Sequence, residues 1–345
     1  MRHFKSSIII TLLGFVGTFI FLGGFSALYI VILLFLLEVT LSFDNAVVNA
    51  KVLETMEPKW QQRFITYGIP IAVFGMRFLF PIMMVSMASH VVIVDGGIGL
   101  WDTFTLAMYA PEAYQDIFEK VHYIIYAFGG AFLLMVFLDF LFDSDREIKW
   151  IDFIENNRVI KKIATAEHTE TIIALAIGLT LVNSVDSSMS TGVALAYFSG
   201  IILHLIVITF DELLNTNGVR SGIVGLLYLE ILDASFSFDG VIGAFALSSN
   251  IFIIMIGLGV GAMFVRSLTL YMVEKKTLDA YKYLEHGAHY AILALSLIMF
   301  CKMFIEVNEV LVGTVGILFV GISIIHSMVE ERREENKSKS NIFLL

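Results

Sequence analysis

Long apolar stretches alternate with short polar segments along the chain, and this pattern predicts membrane-spanning helices. A helix needs about 20 predominantly apolar residues to cross the hydrocarbon core of a bilayer. The stretches lie at residues 7–24, 26–50, 64–88, 122–142, 169–187, 190–210, 222–247, 251–273, 287–305 and 309–328. They are continuous apolar runs without the alternating polarity of outer-membrane strands, so a barrel is not expected. The predicted fold class is all-α, a polytopic membrane protein of about ten helices.

The distribution of basic residues predicts the orientation of these helices, because Lys and Arg collect in cytoplasmic loops near helix ends. With the N-terminus inside, all but four of the 22 Lys and Arg residues fall in inside segments; the exceptions are Arg77, Lys120, Arg266 and Lys302. We therefore expect both termini in the cytoplasm. The first half of the chain is then 1–168, with 143–168 as a cytoplasmic loop; the second half is 169–328, and 329–345 is a charged tail.

Composition supports a bilayer environment and excludes several functions. The chain is 58% hydrophobic and 16% charged, and its mean hydropathy is +0.84. Its net charge of −10 argues against a nucleic-acid partner. Cys301 is the only cysteine, so neither an intrachain disulfide nor a multi-cysteine metal site is expected. Hydrolase, zincin and P-loop motifs are missing from the sequence, and we predict no enzyme activity and no permanently bound cofactor. An intramembrane aspartyl dyad of Asp44 and Asp239 is the weaker alternative.

Two acid-bearing segments share a motif, which indicates an internal duplication. The first contains SFDN at residues 42–45, and the second contains SFDG at residues 237–240. The matched residues are Glu38 with Asp233, Ser42 with Ser237, Asp44 with Asp239, Asn45 with Gly240, and Arg77 with Arg266. Predicted helices two to four thus match helices seven to nine, and a repeat with an odd number of helices inserts upside down the second time. Inverted repeats are typical of secondary transporters, whose sites lie near the bilayer midplane; a duplicated scaffold without a transport role is the alternative.

The acids of these segments form the candidate functional site. An ionised carboxylate near the bilayer centre costs at least ~2.5 kcal/mol, so such groups usually face a cavity and a partner. Carboxylates, amides and hydroxyls suit Mn²⁺, Ca²⁺ or Mg²⁺ better than Cu⁺ or Zn²⁺. The predicted metal ligands are Glu38, Asp44, Asn45, Asp233 and Asp239, and the predicted supporting residues are Ser42, Asn49, Glu230, Ser237, Arg77 and Arg266.

Several details of this site stay open at the level of sequence. In a regular helix, Asp44 lies about 100° from the stripe that contains Glu38 and Asn45, so it joins them only if the helix is wide or unwound. The two arginines are counter-charges or gating groups, and a structural lock between acids and arginines is the alternative to a binding site. Neighbouring acids also suit proton coupling, because one of them readily keeps a proton.

The chain resembles the TerC-like integral membrane proteins, within the wider assembly of LysE-type transporters. Three features carry this resemblance: the motif E-x-x-L-S-F-D-N at residues 38–45, the second acid-bearing helix from Glu230 to Asp239, and the intramembrane arginines. The resemblance covers about residues 26–310. It implies divalent metal export, of Mn²⁺ above all, across a bacterial plasma (inner) membrane. The second copy departs from the pattern, with SFDG and the additional Glu230, and so resembles a poorly characterised branch of the family.

These observations predict a multi-pass transporter that moves a divalent cation, with proton exchange as the coupling. Its expected partners are the cation, protons and the lipid bilayer, and its oligomeric state does not follow from the sequence. The alternative is a non-transporting membrane protein of the metal or tellurite stress response that acts as a sensor or scaffold.

Overall fold

The computed structural model describes residues 4–92, 96–143, 146, 148–157, 162, 168–214, 222–248 and 250–342, and every regular element among them is a helix. The α-helices are α1 (Phe4–Thr18), α2 (Gly24–Leu41), α3 (Phe43–Glu54), α4 (Pro58–Pro70), α5 (Phe80–Val92), α6 (Leu100–Tyr109), α7 (Pro111–Phe142), α8 (Asp152–Glu155), α9 (Thr169–Ser184), α10 (Ser187–Leu214), α11 (Gly222–Leu247), α12 (Ile251–Glu274), α13 (Thr277–Ala280), α14 (Leu284–Lys302) and α15 (Glu309–Ile342). Two π-helices, Phe19–Gly23 and Ile71–Leu79, follow α1 and α4. The predicted all-α class is confirmed.

Seven helical stretches of the described residues are long and apolar enough to cross a membrane. They are Phe4–Leu41, Val73–Val92, Pro111–Phe142, Ser187–Phe210, Ile251–Glu274, Leu284–Lys302 and Leu311–Arg333. The apolar helix α9 is shorter, and α11 has the length but carries three acids. The chain is thus a multi-pass membrane protein, while the count of ten spans, the inverted repeat and the orientation stay predictions.

The centre of the bundle is α7, against which α10 and α14 pack. In its most apolar 18-residue window, 83% of the residues are buried, compared with 17% for the peripheral stretch Phe4–Leu41. The other main contact lies between α2 and α12, and α12 also packs on α3 and on the π-helix Ile71–Leu79. This second group of helices carries most of the predicted site residues.

The predicted second helix is interrupted within the SFDN motif. Residues 26–50 were expected to form one helix, but α2 ends at Leu41 and α3 begins at Phe43. Ser42 lies between them with φ −103° and ψ 14°, outside the helical range. The expectation of a continuous helix is therefore wrong at this residue, and the interruption changes the direction of the side chains that follow.

The segment before the predicted fourth span is also more helical than expected. The apolar pattern placed a loop at residues 89–121, but α6 occupies Leu100–Tyr109 and α7 already begins at Pro111. Pro111 is the first residue of α7, where the missing N–H of proline removes no helical hydrogen bond. This start signal lies outside the apolar run, which explains why hydropathy alone missed it.

Candidate functional site

The centre of the site is an ion-pair network around Arg77, which lies on the π-helix Ile71–Leu79. Arg77 Nη2 lies 2.5 Å from Glu38 Oε1, and Arg77 Nη1 lies 2.5 Å from Asp233 Oδ2. The residues are almost fully enclosed, with exposed fractions of 1% for both Glu38 and Arg77 and 6% for Asp233. One guanidinium group therefore joins the acids of both motif copies, as the matching of Glu38 with Asp233 predicted.

Polar side chains of the first motif complete this network, and we refer to Glu38, Ser42, Asn45, Arg77 and Asp233 as the Arg77 centre. Ser42 Oγ donates a hydrogen bond to Glu38 Oε1 at 3.0 Å, and Asn45 Nδ2 donates one to Asp233 Oδ1 at 2.9 Å. Asn45 therefore connects the first motif to the carboxylate of the second. The structure thus brings three of the five predicted metal ligands into one contact network.

Two glycines of α12 allow the acid-bearing helix α2 to lie close to it. A Cβ atom added at Gly257 would lie 2.5 Å from Leu34 Cβ, and one at Gly261 would lie 2.6 Å from Glu38 Cβ and Cγ. These glycines are four residues apart on one helix face, the small-residue spacing typical of close helix contacts in membranes. The Glu38 side chain therefore lies directly against α12 at Gly261.

The second arginine forms a separate ion pair with Glu230, the acid that has no counterpart in the first motif. Arg266 Nη2 lies 2.8 Å from Glu230 Oε1, and both residues are buried. The Arg266 guanidinium also lies over the Phe64 ring at 4.1 Å, and the neighbouring Gly68 leaves room for it. Arg266 therefore does not reproduce the bridging role of Arg77.

Four buried oxygen atoms on the same helices have no hydrogen-bond partner within the described part of the chain. They are Asn45 Oδ1, Asn49 Oδ1, Glu230 Oε2 and Ser237 Oγ. Ser237 also lines a small, otherwise apolar pocket with Met76, Met84 and Phe118. A buried polar atom without a partner is unfavourable, and such positions usually bind water or a ligand.

The remaining two predicted ligands are not part of the described network. Asp44 is buried, but its side chain points toward α14 and α15 rather than toward Arg77. Asp239 belongs to α11, and its side chain lies outside the described residues. Among the residues that the structure describes, no three His, Cys, Asp or Glu side chains are grouped so that they could hold a metal ion. Arg77 instead lies between Glu38 and Asp233.

Comparison with known proteins assigns most of the chain to one family. A family model described as "Protein of unknown function (DUF475)" matches residues 43–334. The chain belongs to the DUF475 family. The match includes Asp44, Asn45, Arg77 and the whole second motif, whereas Glu38 and Ser42 precede it. No curated protein and no solved structure matched this DUF475 chain. The resemblance to TerC-like proteins stays a prediction.

The structure also contains two groups of ionisable residues whose contacts the sequence did not predict. Asp139 on α7 and His204 on α10 lie 3.3 Å apart. Near α8, the carboxylate of Glu155 lies 2.9 Å from Arg146 Nη2 and 3.5 Å from His286 Nε2, and accepts a hydrogen bond from Tyr290 at 3.2 Å. No sequence motif identifies either group. The aromatic and apolar residues around Glu155 are the one signal that this loop packs against the helices.

Glu155 holds the segment around α8 of this DUF475 protein against α14. Its two oxygens also accept hydrogen bonds from the backbone N–H groups of Trp150 and Ile151. Burial alone would raise the pKa of Glu155, but the hydrogen bond and charge of His286 and the charge of Arg146 outweigh this effect, so the pKa is lowered. The ionised form is therefore the one that stabilises this contact.

Proposed function

We propose that this DUF475 protein is a membrane transporter of divalent cations, with the Arg77 centre as its substrate site. The supporting observation is the pair of carboxylates, Glu38 and Asp233, which are buried on different helices and bridged by the guanidinium of Arg77. Carboxylates buried inside a membrane protein usually mark an ion pathway. The resemblance to TerC-like proteins makes Mn²⁺ the first substrate to test.

Charge balance supports this assignment. Glu38, Asp233 and Glu230 contribute three negative charges when ionised, while Arg77 and Arg266 contribute two positive ones. One negative charge is left uncompensated, and an uncompensated buried charge is unfavourable. A divalent cation would match the charge of Glu38 and Asp233 together, whereas Arg77 matches half of it.

The chemistry of the surrounding atoms agrees with a hard cation. Asn45 Oδ1 and Asn49 Oδ1, which have no hydrogen-bond partner within the described residues, lie one turn apart on α3, and the Asn45 side chain contacts Asp233. Carboxylate and amide oxygens are the ligands that Mn²⁺, Mg²⁺ and Ca²⁺ prefer. In the mechanism that we propose, the cation competes with Arg77 for Glu38 and Asp233, and release of Arg77 accompanies the movement of one half against the other.

Ion flux in proteoliposomes tests this proposal. The measurement compares Mn²⁺, Ca²⁺ and Mg²⁺, with and without a pH gradient, for the wild type and Asp233→Asn. Asp116→Asn is the matched control, because Asp116 is exposed at the start of α7. We expect saturable flux of at least one ion in the wild type and the control, and its loss in folded Asp233→Asn.

A non-transporting sensor or scaffold is the second candidate, and one observation favours it. Arg77 already satisfies both carboxylates, which is what a structural lock between helices would require. In that case, folded wild-type protein would show no flux of any of the three ions. Asp233→Asn would then reduce the amount of folded protein in the membrane instead of a transport rate.

A further inference from the structure

Helices α3 and α11 pack against each other along a seam, and contacts at two levels fix their register. At the first level, Asn45 Nδ2 donates a hydrogen bond to Asp233 Oδ1 at 2.9 Å. At the second, a Cβ atom added at Gly225 would lie 2.9 Å from Sδ of Met56, which follows α3. Residue numbers rise along α3 while they fall along α11, so the two helices run antiparallel.

Asn49 and Glu230 fall at one level of this seam, between the two contacts. Asn49 lies four residues after Asn45, and Glu230 lies three residues before Asp233, so each shares a helix face with a residue of the hydrogen-bonded pair. Asn49 and Glu230 are buried, with exposed fractions of 4% and 5%. The antiparallel register therefore places their side chains opposite each other.

Each of these side chains has an enclosed oxygen atom without a hydrogen-bond partner among the described residues. The two atoms are Asn49 Oδ1 and Glu230 Oε2, whereas Glu230 Oε1 accepts a hydrogen bond from Arg266 Nη2 at 2.8 Å. The other terminal nitrogen, Arg266 Nη1, lies against Gly68 of α4. Two acceptor oxygens cannot hydrogen-bond to each other. A group that satisfies both of them is a hydrogen-bond donor or a cation.

An apolar cluster closes the seam beyond Asn49 and Glu230. Its members are buried side chains of α3, α4, α11 and the residues next to them, namely Val52, Leu53, Met56, Phe64 and Leu229. In the other direction, the seam continues through Asn45 to the Arg77 centre. Along the described part of the seam, Asn49 and Glu230 thus form the last polar level before the apolar cluster.

The charge at this level suits an ion that is bound weakly. Arg266 offsets the charge of Glu230, so a divalent cation would meet one neutralised carboxylate and one amide. Two protein oxygens are fewer than the about six ligands that a hard divalent cation needs, and such a cation keeps several water molecules, as Mg²⁺ usually does in proteins. Conduction requires binding that is weak enough for the ion to leave.

We propose that Asn49 and Glu230 form a second cation position, on the path between the Arg77 centre and the apolar cluster. Its ligand is a divalent cation that keeps part of its water shell, and the ion passes between this position and the carboxylates of Glu38 and Asp233. The role of the position in transport rests on the proposed function, but the binding of a cation there does not.

Equilibrium binding of Mn²⁺ to the purified protein in lipid tests the position directly, with the free ion counted by electron paramagnetic resonance. We expect two classes of site in the wild type. Asn49→Leu should remove the weaker class, and Asp233→Asn should remove the tighter one. Asn49→Asp adds a carboxylate at the same place and should tighten the weaker class by about tenfold or more.

Two further variants make the binding result decisive. Asn183→Asp is the matched control, because Asn183 is exposed on α9, and it should leave both classes unchanged. Glu230→Gln keeps the size of its side chain and should weaken the second class, which covers the case in which a variant of Asn49 does not fold. Wild-type binding by folded Asn49→Asp and Glu230→Gln would overturn the proposal.

Mn²⁺ flux separates this inference from the proposed function. We expect Asn49→Leu to raise the half-saturating Mn²⁺ concentration several-fold and Asn49→Asp to lower it, an opposite pair of shifts that a merely structural asparagine would not give. Flux with the same half-saturation in both variants would overturn the role in transport and leave the Arg77 centre as the site. Asn49-dependent binding without flux would overturn the proposed function alone, and an absence of Mn²⁺ binding would overturn both.

Discussion

The two motif copies share residue types but differ in backbone structure. In the first copy, the acid-bearing helix is interrupted at Ser42, and Arg77 lies on a π-helix; in the second, α11 and α12 are continuous α-helices. Arg77 bridges Glu38 and Asp233, one acid from each copy, whereas Glu230 is the one acid among the described residues with which Arg266 forms an ion pair. A duplicated motif therefore need not give two equivalent sites, because the two arginines lie on helices with different backbone geometry and contact different acids.

The last residue of the motif adds to this asymmetry. Asn45 donates a hydrogen bond to Asp233, but the matched residue of the second copy is Gly240. A Cβ atom added at Gly240 would lie 3.1 Å from Glu38 Oε2. Glycine therefore leaves space beside Glu38 at the place where the second copy lacks an amide.

The largest expected effect comes from removing the bridging arginine. Arg77→Met leaves Glu38 and Asp233 buried without their cation, and breaking a buried ion pair in this way costs roughly 3–5 kcal/mol. Arg266→Met should cost less, because Arg266 contacts one carboxylate. Thermal unfolding of both variants in detergent, followed by size-exclusion chromatography, measures the difference. Equal losses would contradict the asymmetry between the copies.

A smaller effect is expected where the second copy packs on the first. Gly261→Ala would place a Cβ atom 2.6 Å from Glu38 Cβ and Cγ, and overpacking of this kind typically costs about 1–3 kcal/mol. Gly321→Ala is the matched control, because no heavy atom lies within 4 Å of its added Cβ. The same unfolding assay should show a loss for the first variant and none for the second. A neutral Gly261→Ala would show that α2 and α12 have room to separate.

The segment between the two copies gives a prediction about pH. The pKa of Glu155 is lowered in the folded protein, so its ionised form contributes stability above the ordinary Glu pKa of about 4.3, and this contribution fades as the pH falls below that value. Glu155→Gln should therefore cost about 1–3 kcal/mol at neutral pH and progressively less at acidic pH.

Unfolding temperatures across this pH range provide the test, with the exposed Asp152→Asn on the same short helix as the control. If the difference in unfolding temperature between the wild type and Glu155→Gln grew as the pH fell, the prediction would be contradicted.

The smallest effect distinguishes the matched serines. Ser42 Oγ donates to Glu38 Oε1, whereas Ser237 Oγ has no hydrogen-bond partner within the described residues. Ser42→Ala should destabilise the protein by about 0.5–1.5 kcal/mol, and Ser237→Ala should be close to neutral. Denaturation in detergent compares them. A larger loss from Ser237→Ala would indicate that its hydroxyl binds a group outside the described residues.

The all-α class and the closeness of Glu38 to Asp233 could be predicted from the sequence, because hydropathy and matched motifs are read directly from the residue types. The sequence did not predict the break at Ser42 or the direction of Asp44, since neither a proline nor a glycine marks that position. The sequence also did not predict the π-helix around Arg77 or the ion pair between Arg266 and Glu230. These features depend on how the helices pack against one another, as in the contact of Gly261 with Glu38. The hydropathy pattern of one sequence does not specify such contacts.

The π-helix around Arg77 also makes the network sensitive to chain length. Each hydrogen bond of a π-helix spans one more residue than that of an α-helix, so Ile71–Leu79 holds more residues per turn than the helices on either side. One residue more or fewer in an α-helix turns every later side chain by about 100° around the axis, so a stretch whose wide turns hold an extra residue places Arg77 at a different angle from the one it would have in a regular α-helix. The position of the charge is thus set by the number of residues that precede it as well as by the arginine itself.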